Sequence, residues 1–123
     1  MHNILFIHSD PKIVKFYEPL LSRHFEFDSA IDGLSGLRKI RLKPPGAVVS
    51  DYHLAHLSGL ALLKFIRSQG HLAAVPFIFF ADHSNLESAL NWGANDWIVP
   101  SSSSPEILLN KIYQHLKYGI HIH

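Results

Sequence analysis

There is no cysteine anywhere in the 123 residues, and only one methionine. The first absence removes disulfide cross-links and thiolate metal sites together. No apolar run approaches the roughly 20 residues that a bilayer-spanning helix needs. Met1 leads into a short apolar stretch rather than a basic region and a leader, so a cytoplasmic chain is the expectation. Charge is also scarce: 17% of residues are charged, and eleven basic against ten acidic side chains give a formal +1. That balance excludes an extended electrostatic footprint for nucleic acid or an anionic membrane, although local patches remain open. No nucleophile and base pair, and no glycine-rich cofactor loop, stands out, so an enzyme is not expected.

What is abundant is apolar material. At 47% hydrophobic, residues 1–123 can fill the core of a single domain and no more. Short apolar runs alternate with segments of helical period. The runs are Asn3 to Ile7, Phe25 to Ala30, Ala47 to Ser50, Pro76 to Phe80 and Asp96 to Val99. All but the second are nearly continuous in apolar residues, as strands covered on both faces are. The second alternates Phe25 and Phe27 with Glu26 and Asp28 and reads as an edge.

Five helical segments separate and follow these strands. Ile13, Tyr17, Leu20 and His24 mark the first, with Asp10 as its cap, Pro11 at its first position, and Pro19 awkwardly inside it. Leu34, Leu37 and Ile40 mark a second, stopped before Pro44; Leu60, Leu63 and Ile66 a third, ending at Gly70; Leu86 and Ala89 a short fourth, stopped by Gly93. Ser104 and Pro105 open a fifth, carrying Leu108, Ile112 and Leu116 on one face and ending near Tyr118. Strict alternation predicts an α/β fold, a doubly wound parallel sheet of five strands with five helices and right-handed crossovers. Function in such sheets gathers at the carboxyl ends of the strands. Those ends carry His8, Ser9 and Asp10; Asp51, His53 and His56; Ala81, Asp82 and His83; and Pro100 and Ser101.

Read in order, ILFIHSDP, VVSDYHLAHLSGLALL, VPFIFFADHS and GANDWIVPS followed by SPEILL resemble the receiver domains of two-component response regulators along essentially the whole chain. Asp51 closes the third strand and Gly59 follows eight residues later; Gly93 and Ala94 precede an aromatic, Trp97, by the family's spacing. The resemblance implies a flavodoxin-like sheet of order 2-1-3-4-5. It also implies that Asp51 stands where the family accepts phosphate from a sensor histidine kinase. In the family an acidic pair on the first strand holds Mg²⁺ with that aspartate, a Thr or Ser after the fourth strand binds a phosphoryl oxygen, and a Lys after the fifth neutralises charge. Those groups position and stabilise the transferred phosphoryl. Here the acidic pair falls on His8 and Ser9, the hydroxyl position on Ala81 and the lysine on Pro100. Alanine has no side-chain donor, and proline has neither charge nor donor. Shifting the first strand by one residue would let Asp10 join Asp51 as an Mg²⁺ ligand.

The ten histidines are the other unusual feature. The resemblance places His53 and His83 at positions that tune the pocket, and with Asp51 and His8 they could form a mixed nitrogen and oxygen site for Zn²⁺. Imidazoles beside Asp51 would also charge below about pH 6.5. His121 and His123 read as a frayed tail.

Three readings follow. The leading one is a degenerate receiver, a pseudo-receiver that binds a protein partner through the fourth helix, fifth strand and fifth helix, with Trp97 as the switch aromatic or a packing residue and no cofactor. The second is a conventional phosphorylatable receiver using Asp51 and Mg²⁺. The third is a metal- or pH-sensing domain built on the rim histidines. Under the first two the partner is a sensor histidine kinase or a downstream effector, with a homodimer possible and no direct contact to nucleic acid or membrane.

Overall fold

The structure, a computed structural model, describes residues 2–83 and 85–120; His121 and His123 lie outside them. The elements are β1 (Asn3–Ile7), α1 (Pro11–Ser22), β2 (Glu26–Ala30), α2 (Gly33–Leu42), β3 (Ala47–Ser50), α3 (Gly59–Ser68), β4 (Phe77–Phe80), α4 (Leu86–Asn91), β5 (Asp96–Ile98) and α5 (Pro105–Ile120). A 3₁₀ turn, Pro100–Ser102, follows β5. All strand pairings are parallel, and the sheet order is β2-β1-β3-β4-β5. Reversal of winding at β1 and β3 opens a crevice above their carboxyl ends, where the register sets Ile7 beside Ser50.

Two apolar cores lie against the sheet. Ile7, Val48, Phe77, Phe79 and Trp97 pack with Ile40, Leu63, Ile66 and Ala89 under α2, α3 and α4. Phe6, Val49, Phe80 and Ile98 pack with Tyr17, Leu21, Leu108, Ile112 and Leu116 under α1 and α5. Phe6, Phe77, Phe79 and Phe80 are fully buried, each contributing roughly 1.5–3 kcal/mol of transfer free energy. β2 is the exposed edge. Lys39 covers it by donating to the Ser29 carbonyl at 2.6 Å and pairing with Asp28, while Lys43 pairs with Glu26.

Several expectations shift in detail. Pro19 leaves α1 continuous from Pro11 to Ser22. The buried line of that helix is Tyr17 and Leu21 rather than Tyr17, Leu20 and His24, because Arg23 already caps it and His24 bonds to Tyr113 of α5 instead. Leu34 and Leu86 face outward, since Gly33, Gly36 and Ile40 supply the buried face of α2 and Ala89 that of α4. α5 runs two residues past Tyr118. β2, β4 and β5 are each one residue shorter than their apolar runs.

Candidate functional site

β1 and β3 deliver the two central groups. The Asp51 N–H donates to the Ile7 carbonyl at 2.9 Å and extends the β1 to β3 ladder by one residue. Its carboxylate then stands at the crevice, with Oδ1 accepting the Tyr52 N–H at 2.7 Å. Gly59 makes this placement possible: a Cβ there would collide with the Asp51 carbonyl oxygen, so only glycine lets α3 begin so close to the loop.

His8 reaches the same point from β1. Its Nδ1 accepts the backbone N–H of Asp10 at 3.0 Å. A backbone N–H can only donate, so the neutral ring carries its proton on Nε2. That Nε2 lies 3.6 Å from Asp51 Oδ2, with side-chain exposures of 15% and 19%. The separation is long for a direct hydrogen bond, but the proton points at the carboxylate. Edge contact with Phe80 and tilted contact with Phe6 hold the ring in that attitude.

His8 and Asp51 open onto a cleft of about 320 Å³, walled on its apolar side by Ile13, Ala81 and Pro100. A second carboxylate, Asp82, lines it as well. Its Oδ1 accepts the Ser101 N–H at 3.1 Å, tying the loop after β4 to the loop after β5. The cleft thus holds two carboxylates and one imidazole, with no lysine or arginine. Asp82 also helps to raise the Tyr17 hydroxyl above its ordinary range, after burial as the larger cause.

The other sequence-predicted positions divide. Ser9 is exposed, and Asp10 does not line the cleft because its carboxylate caps α1, accepting the Lys12 N–H at 2.9 Å. Ala81 contributes its carbonyl, and Pro100 opens the 3₁₀ turn. His53 and His83 are exposed and line no part of the cleft; the His53 ring instead stands edge-on against Tyr52. His56, in the left-handed region at φ 68°, faces Asp32 at 3.9 Å. Asp32 caps α2, and the Ser35 backbone and side-chain bonds hold its carboxyl below the ordinary range. The rim histidines therefore do not converge.

A divalent cation fits these residues poorly. Mg²⁺ takes an octahedral shell of oxygens. Here the imidazole presents an N–H donor to Asp51, and Asp10 is spent on a helix cap. Among the described residues no three His, Asp or Glu side chains group as a metal site. This holds for Zn²⁺ at His8, His53, His83 and Asp51 as well.

Trp97 occupies the inner side of β5, 7% exposed, with ring centroids 5.0 Å from Phe79 and 5.3 Å from Tyr52. Its Nε1–H donates to the Ala81 carbonyl at 2.9 Å. Ala81, which has no hydroxyl of its own, thus holds the indole through its backbone. On the outer side of β5, Asp96 meets His115 at 3.1 Å and Lys111 at 3.4 Å from α5. Burial works to raise the Asp96 carboxyl, but the hydrogen bonds from His115 and the Trp97 N–H, with the Lys111 charge, outweigh it and hold it below the ordinary range. Asp82 and this Asp96 cluster were not singled out from sequence; the first was visible only as a carboxylate at a strand end.

The arrangement can be set beside known proteins. The family model for the response regulator receiver domain matches residues 4–112. The chain is 26% identical over 114 residues to hybrid signal transduction histidine kinase D of Dictyostelium discoideum, covering 88% of this chain and 7% of that protein. It is 27% identical over 109 residues to response regulator ArlR of Staphylococcus epidermidis, covering 88% and 50%. It therefore spans half or less of these relatives. Among solved structures, the receiver domain of the Francisella response regulator 1452 superposes with a TM-score of 0.89 at 23% identity, covering 97% of this chain and 99% of that one. With the sheet order, the strand-end aspartate and 109 residues matched in register, this chain belongs to the response regulator receiver domain family.

Proposed function

We propose that this receiver domain signals by protein contact through α4, β5 and α5, without needing a phosphoryl group on Asp51. The observation that carries the reading is the character of the cleft. Asp51 faces an imidazole N–H, a second carboxylate lines the wall, and Pro100, where the resemblance expects a lysine, adds no charge. Phosphoryl transfer depends on positive charge gathered around the moving group. A cleft lined by two carboxylates and by no lysine or arginine offers the opposite field.

Trp97 supports the same reading. Its indole is drawn inward and bonded to the Ala81 carbonyl, which ties the strand that underlies the output face to the end of β4 without a hydroxyl at Ala81. Leu86 and Leu90 on α4 and Ile107 on α5 are exposed around that face. These are apolar contacts of the kind a protein partner covers. A sensor kinase or a downstream effector is the partner class that fits a receiver, and a second copy of the domain is the simplest alternative occupant.

The test is a Mg²⁺ titration with and without beryllofluoride, an acyl-phosphate mimic, followed by amide shifts around Asp51. No saturable response at millimolar Mg²⁺ is expected. A saturable, Mg²⁺-dependent response that Asp51→Asn abolishes would overturn the proposal and restore conventional phosphoacceptance.

A further inference from the structure

α2 carries a feature that this reading does not use. Four of the eleven basic residues, Arg38, Lys39, Arg41 and Lys43, fall within six positions. They do not share one role. Lys39 and Lys43 turn to the sheet edge and pair with Asp28 and Glu26. Among the described residues Arg38 and Arg41 have no ion pair. Asp32, the one acid at this end of the helix, is bonded by Ser35, faces His56 and lies within the field of Arg38 without a direct pair to it.

Helical geometry puts the two arginines with exposed leucines. Leu34, Arg38 and Leu42 are spaced four apart, and with Arg41 they occupy an arc of about 100° opposite the buried Gly33, Gly36 and Ile40. Leu42 is 86% exposed, the most of any large apolar side chain among the described residues; Leu34 is 38% exposed and Ile31, just ahead of the helix, 67%. Single exposed leucines are ordinary. Three large apolar side chains interleaved with two arginines that make no ion pair, with Asp32 the one acid beside them, form a patterned surface.

We propose that the outer face of α2 is a second docking surface, and that its occupant is an acidic amphipathic helix of a partner protein. The charge is complementary to such a helix, and the row of about 12 Å between Leu34 and Leu42 matches two turns of one. An anionic bilayer is disfavoured, because two cations, each giving at most roughly a fivefold gain at such a surface, fall short of a stable attachment. Nucleic acid is disfavoured more strongly, because about six to ten phosphate contacts are usual there. This surface lies apart from α4, β5 and α5, so it stands or falls independently of the output face.

The probe is a synthetic peptide of about four helical turns, with leucine every third or fourth position and glutamate flanking it, titrated into the isotope-labelled chain. Amide shifts are expected to concentrate in residues 31–43. The double reversal Arg38→Glu with Arg41→Glu should weaken binding roughly tenfold, as two exposed attractions become repulsions. A peptide with lysine in place of glutamate should bind that variant better than the original. Leu42→Ser, at a side chain with almost no buried area, should leave thermal unfolding unchanged and still weaken the peptide. Shifts elsewhere or absent, indifference to charge reversal, tighter attachment to phosphatidylserine vesicles than to the peptide, or a mass that grows with concentration through self-association would each overturn the proposal.

Discussion

Replacing Trp97 by phenylalanine tests how firmly the inner side of β5 is held. The substitution keeps an aromatic ring against Phe79 and Tyr52 but removes the donor to the Ala81 carbonyl and about 40 Å³ of side chain. At roughly 24 cal/mol per Å³ the cavity costs about 1 kcal/mol. Ala81 is half-buried, so water can replace part of the lost bond, and its removal adds about 1 kcal/mol, the low end for such a group. The sum is about 2 kcal/mol. With an unfolding entropy of roughly 2.1 cal/mol/K per residue over 123 residues, this lowers Tm by about 8 °C. The measurement is urea unfolding followed by far-ultraviolet circular dichroism, since the substitution alters the fluorescence itself. Amide shifts should spread into residues 86–91, because Ala81 leads into α4. A loss below about 0.5 kcal/mol, or shifts confined to β5, would refute the idea that the indole bond fixes the strand and the loop together.

Two further outcomes follow from local geometry. Asp96→Asn should cost about 1–2 kcal/mol at neutral pH, because His115 and Lys111 lose a charged acceptor that is mostly shielded from solvent. The carboxyl sits below 3.8 in the folded chain, so its contribution is present above that value and disappears as pH falls through the folded pKa; the gap between the two proteins in urea unfolding should close there, and a gap constant with pH would remove the ion cluster as its cause. Gly33→Ala should cost about 2 kcal/mol, since an added Cβ meets the Leu57 carbonyl oxygen and must displace the loop after β3; an unchanged melting temperature would show that the loop yields freely.

The fold was legible because each strand's apolar run is set off by a cap or a breaker. Asp10 caps α1 through its bond to Lys12, and Gly93 at φ 101° stops α4 just before β5, both as the sequence suggests; the caps Asp32 and Ser58, bonded to Ser35 and Ala61, emerge only from the structure. Boundaries moved where a side chain had a tertiary alternative. Phe25 reads as strand, yet it is buried just ahead of β2, with Tyr113 of α5 at 5.0 Å between ring centroids. Leu20 reads as the inner face of α1, yet neighbouring Leu21 is the residue fully buried. Periodicity finds a face only to within about one residue, so packing partners far along the chain decide which of two adjacent leucines turns inward.

At the cleft the sequence located the groups but not their attitudes. Asp51 and His8 meet because β1 and β3 are sheet neighbours in register, which the topology predicts. Which nitrogen of His8 faces Asp51 depends on the Asp10 N–H behind it, a contact two residues along that no spacing rule anticipates. The same turn commits the Asp10 carboxylate to capping α1. One tight strand-to-helix connection therefore fixes the imidazole as a donor toward Asp51 and removes the carboxylate that could have replaced it as a cation ligand. Asp82 completes the change of field. Because its carboxylate already accepts the Ser101 N–H in the loop that would carry the lysine, restoring a lysine at Pro100 alone would give that cation two carboxylates to choose between, Asp51 and Asp82. Under the proposed reading, a lysine at Pro100 is therefore not expected to restore phosphoacceptance unless Asp82 is reversed with it.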